Sequence, residues 1–90
     1  MSILHLAKTL PDGRSVAFHV PAEFYLDMAT CHMQIIVESY ETESAARSRS
    51  MASAKSVVDV PLPNWSYVYA DNLLNFVCSE AEWLSANVLA

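Results

Sequence analysis

The chain contains a single glycine, Gly13, and it stands in the run Leu10-Pro11-Asp12-Gly13. Pro11 presets the φ angle of the second turn position, the Asp12 side chain can bond nearby backbone, and Gly13 tolerates a positive φ. A tight turn between two strands follows. Upstream, Ile3 to Leu10 reads as a strand weakened by Ala7 and Lys8. Downstream, Ser15 to Val20 alternates, with Val16, Phe18 and Val20 on one side and Ser15, Ala17 and His19 on the other. The scarcity of glycine also excludes chemistry. Phosphate loops and dinucleotide fingerprints need backbone that can approach phosphate closely, and neither can be built from one glycine. The Gly-x-Ser-x-Gly elbow is likewise absent.

Further along, Pro21 to Thr30 is ambiguous. Pro21-Ala22-Glu23 suits a first helical turn, whereas Phe24, Tyr25 and Leu26 suit a strand. His32 to Tyr40 is a clearer strand. Met33, Ile35 and Val37 form an apolar face, opposite His32, Gln34, Ile36, Glu38 and Tyr40. Ile36 and Tyr40, on the mixed face, are candidates for a second contact surface. Glu41 to Ala54 reads as a loop with a short helical turn capped by Thr42. Lys55 to Val60 is a further strand, closed by Pro61-Leu62-Pro63 because proline cannot donate to a ladder. From Asn64, Ala70, Leu73, Leu74 and Val77 recur at helical spacing, with Asp71, Asn72 and Asn75 opposite them. Ser79-Glu80-Ala81-Glu82 fits a capping box and predicts a second short helix returning Trp83 and Leu84 to the core. The expected fold is α+β: one domain spanning residues 1–90, an antiparallel sheet of three to four strands with a C-terminal amphipathic helix across one face.

Ninety residues make one small domain, and 53% of them are hydrophobic while only 17% are charged. A globule this small has little interior, so some of the apolar surface is expected to meet another chain. The net charge of −5 argues against nucleic acid, whose affinity comes from bases neutralising phosphates. Three of the five bases, Arg47, Arg49 and Lys55, cluster in a stretch without acids. No apolar run is long enough for a membrane helix and no secretory leader is evident, so a soluble protein made in a cytoplasm is expected. In that compartment Cys31 and Cys78 are expected to be buried thiols.

No set of side chains announces catalysis. His5, His19 and His32 match no zinc spacing and are expected to be solvated sheet residues. Glu41/Glu43 and Glu80/Glu82 fall in a loop and at a helix start, where solvation and the helix dipole account for them. No cofactor, metal or small-molecule substrate is expected. Trp65, Tyr67 and Tyr69 alternate at the helix entry and cannot all face inward, so exposed members are candidate interface anchors beside the Arg47/Arg49 loop.

A short run of motifs carries a resemblance. Phe18-His19, Leu26-Asp27, Ser39-Tyr40, Ala45-Ala46-Arg47 and the Tyr69 to Trp83 region follow the order found in a family of small tailed-bacteriophage proteins. The likeness runs from about Gly13 to Ala86. It implies a virion or tail-associated structural protein that touches other virion proteins and copies of itself, made in the host cytoplasm and carried in the particle. It also implies that Pro21 to Asp27 continues a strand, hairpinned to His32–Tyr40 through Met28-Ala29-Thr30, although the glycine usual in that turn is missing here. Two other roles fit an acidic, site-poor domain: a capsid decoration protein and a small intracellular adaptor or inhibitor.

Overall fold

The computed structural model describes residues 3–27, 29–61, 77, 78 and 80–89. Among these the fold is mostly β: a five-stranded antiparallel sheet with one short helix. The strands are β1 (Ile3–Thr9), β2 (Ser15–Asp27), β3 (His32–Tyr40), β4 (Ala54–Pro61) and β5 (Asn87–Leu89), and the helix is α1 (Glu43–Ser48). The sheet order is β4-β3-β2-β1-β5. Two expectations are corrected. The sheet has five strands rather than three or four, and the helix described precedes β4 instead of closing the chain. The amphipathic helix expected from Asn64 lies outside the described residues apart from Val77 and Cys78, which are helical, with Val77 buried on the sheet.

The turns form for the reasons the residues give. Gly13 N–H donates to the Leu10 carbonyl (2.9 Å) at φ +90°, and Asp12 Oδ1 accepts from the Arg14 N–H. β2 is a single 13-residue strand, which resolves Pro21–Asp27 as strand. Its register against β3 shifts between Pro21 and Glu23, leaving Ala22 as an extra residue. A proline has no N–H for the ladder, so a bulge belongs there. At the β2–β3 turn Asp27 Oδ1 accepts from the Ala29 and Thr30 N–H groups. Cys31, which follows Thr30 in that turn, takes the left-handed conformation, φ +57°. Its turn position exposes it, contrary to the expectation of a buried thiol. Cys78 is partly buried, and that burial pushes its thiol pKa up.

α1 begins as expected, with Thr42 Oγ1 accepting from the Ala45 N–H (3.1 Å). Arg49 ends it in the left-handed conformation that closes many helices. Ser79, the cap of the expected capping box, lies outside the described residues. Ala81–Trp83 form one 3-10 turn whose cap, Glu80, offers no side-chain hydrogen bond. Trp83 does return to the core, but Leu84 is 68% exposed.

The sheet is packed on both faces. On one, Leu4, Met33, Ile35, Val37, Val58, Val60, Val77 and Trp83 form a core cluster. On the other, Ile3, Val20, Tyr40 and Ala46 do so beneath α1. The small side chains of Ala45 and Ala46 let α1 lie close to the strands.

Candidate protein interface

The half of the sheet nearest α1 is sealed on both faces by polar locks. Under α1, Glu38 projects from β3 and is largely buried. Its carboxylate accepts from Arg49 Nε (2.9 Å) and Nη2 (3.2 Å) and from the Tyr40 hydroxyl (2.9 Å), with Lys55 Nζ at 3.9 Å. Arg49 holds the Glu38 carboxyl below the usual carboxylate range, and burial pushes the Tyr40 phenol up. A two-bond guanidinium–carboxylate contact fixes direction as well as charge, so it ties the C-terminal end of α1 to β3.

The lock on the opposite face is neutral. His19, expected to be solvated, is fully buried. Its Nε2 lies 2.7 Å from the Leu6 carbonyl, which can only accept, so Nε2 carries the proton. Nδ1 then accepts from the Ser39 hydroxyl at 2.8 Å. Leu6 sits in a register irregularity of β1, between His5 and Lys8. Trp83 meets the imidazole edge-on at 4.8 Å between ring centroids, and Lys8 Nζ lies 3.7 Å from the indole centroid while pairing with Glu82. Burial lowers the His19 pKa below its ordinary value.

Beyond these locks the face that carries α1 runs out into exposed side chains. Three cross-strand rows lie there: Glu23–Ile36–Val57, then Tyr25–Gln34–Asp59, then Asp27–His32–Pro61. Tyr25 is 58% exposed and Val57 57%, with half-buried Ile36 beside Val57 and diagonal to Tyr25. Tyr25 donates to Glu23, and His32 Nδ1 lies 3.1 Å from Asp59 Oδ1. On the other face Phe24 and Leu26, at the far end of β2, are also exposed. The result is an apolar patch with a polar border, the composition that recurs where proteins meet.

The sequence-derived candidates divide. Ile36 lies in this patch. Tyr40 does not: it is buried under α1, bonded to Glu38, and presents nothing outward. Arg49 serves the internal lock. Arg47 is paired with Glu43 one helical turn back. Trp65, Tyr67 and Tyr69 fall outside the described residues. In fact all five bases of the chain have an acid within 4.0 Å: Lys8 with Glu82, Arg14 with Asp12, Arg47 with Glu43, and Arg49 and Lys55 with Glu38. Each base of the loop therefore has an acid of its own chain beside it, while Lys55 stays largely exposed. Tyr25 and Val57 were missed because Tyr25 stood in the ambiguous segment and Val57 reads as core within Val57-Val58. The alternation Lys55, Val57, Asp59 was the available signal, since it puts Val57 on the charged side of its strand.

Among the described residues no three His, Cys, Asp or Glu side chains converge as metal ligands. Comparison with protein-family models, curated proteins and solved structures found no match for the chain.

Proposed function

We propose that this protein is a non-enzymatic structural component of a bacteriophage particle, a tail or baseplate accessory that works by protein–protein contact. The observation that carries the contact reading is the patch of Tyr25, Ile36 and Val57. These side chains lie on the same rigid sheet as the core yet remain accessible, while the neighbouring half of the same face is sealed. A sheet holds such side chains in fixed positions, so binding them costs little ordering entropy. The particle assignment draws on the motif order from Phe18-His19 to Trp83.

Mass spectrometry of purified particles tests the assignment. The polypeptide is expected among the particle proteins in several copies. Its abundance in infected cells combined with absence from particles would refute the virion role and favour an intracellular adaptor.

A further inference from the structure

β4 is the last strand on its side of the sheet, and no described residue hydrogen-bonds to its outer edge. It is eight residues long, with Lys55, Val57 and Asp59 on one face, all exposed. Among the described residues this edge is unpaired, and an unpaired edge of this length is a template for another strand unless something blocks it. Lys and Asp on an edge are a common block. Here, however, the two charges are opposite and stand symmetrically about Val57.

We propose that β4 pairs with β4 of a second copy, antiparallel and centred on Val57, making one continuous sheet across a two-fold axis. In that register Lys55 faces Asp59 of the second copy, Asp59 faces its Lys55, and Val57 meets Val57. Ser56 pairs with Val58 and Ala54 with Val60. Sliding the register by one pair of residues puts both charges opposite uncharged residues or beyond the paired stretch. A parallel in-register arrangement sets Lys on Lys and Asp on Asp. Only the arrangement centred on Val57 satisfies both charges, so the strand is self-complementary in the way an isologous contact requires. Each charge leans on its own β3 as well, Lys55 at 3.9 Å from Glu38 and Asp59 at 3.1 Å from His32, but both side chains stay more than half exposed. Pro61 has no N–H and limits the pairing at one end. The dimer would also join two patches: Ile36, Val57 and their two counterparts would form one apolar row across four strands. The inference rests on the reading that this part of the sheet serves contact, and it names the partner as a second copy of the chain.

Charge exchange tests it. Sedimentation velocity of the intact chain from micromolar to millimolar concentration should show a monomer–dimer equilibrium. Lys55→Asp alone and Asp59→Lys alone each set like charges opposite one another twice, and should weaken self-association on the order of tenfold or more. The two variants mixed restore both attractive pairs, so a heterodimer should form where neither associates alone. This mixing result cannot come from misfolding. A wild-type chain that stays monomeric throughout, or a dimer indifferent to both substitutions and to mixing, would overturn the proposal. The particle assignment fails separately: a charge-dependent dimer in sedimentation, with the chain absent from purified particles, would sink the virion role and leave the dimer standing.

Discussion

On the face that carries α1, the two halves of the sheet use apolar residues in opposite ways. In the half under α1, Val20, Tyr40 and Ala46 are out of water, and on the reverse Leu4 and Val37 are covered with Trp83. In the outer half, Tyr25 and Val57 lie on the same sheet face as buried Val20 and Tyr40, yet more than half of each is exposed. Both sets are apolar strand residues; what differs, among the described residues, is whether a second layer lies above. The lesson is that the sheet is longer than the cover its own α1 provides. Met33, Ile35, Val58 and Val60 keep the reverse of the outer half in the core, and it is the uncovered side of that half that we propose as the contact surface.

That contrast can be attacked from the sealed side. Trp83→Ala removes the indole that His19 and Lys8 both touch, and should destabilise the chain by about 3–5 kcal/mol in denaturant unfolding. A loss near zero would mean the reverse face is not sealed by Trp83. Arg49→Met keeps the long stem and the same backbone conformation but strips Glu38 of its two-bond partner. About 1–3 kcal/mol of stability should go with it.

The two locks should also titrate in different windows. The pKa of His19 is lowered in the folded chain, so below the ordinary value of 6.5 the unfolded chain binds more protons than the folded one. Stability present at neutral pH is therefore lost as pH falls from about 6.5, until the folded-state pKa is passed. Glu38 has a lowered pKa too, with an ordinary value of 4.5, so its contribution persists above that value and disappears as pH drops through the folded-state pKa. Unfolding free energies measured across acid pH should thus fall in two stages, and Arg49→Met should diminish the second only. Smallest of all, Arg47→Ala breaks one exposed helical pair with Glu43 and should change stability by no more than about 0.5 kcal/mol. A larger effect would give Arg47 a part in sealing α1.

Much of the sheet could be read in the residues. The Gly13 turn, the alternation of β3, the Thr42 cap and the end of β4 at proline are each local consequences of side-chain chemistry. The features that escaped are tertiary. β5 is three residues long and too short to show a period; it exists because β1 offers an edge. The burial of His19 depends on a carbonyl at a β1 irregularity and on Trp83, 64 positions away in the chain. For the candidate interface, Ile36 was legible from strand alternation alone. The internal role of Arg49 was not legible, because a charged loop residue gives no sign of the buried carboxylate beneath it. Tyr40 was misjudged because the cover over its half of the face is α1, whose docking no periodicity encodes.

The purpose of the outer half can be tested by removing its exposed apolar surface. Tyr25→Thr with Val57→Thr keeps strand-compatible side chains while removing the exposed apolar surface. The measurement is the amount of this double variant in purified particles relative to wild type, with its unfolding free energy determined alongside. Stability is expected within about 1 kcal/mol of wild type, with incorporation largely abolished. Wild-type incorporation, or a loss of stability as large as that of Trp83→Ala, would contradict the proposed contact role.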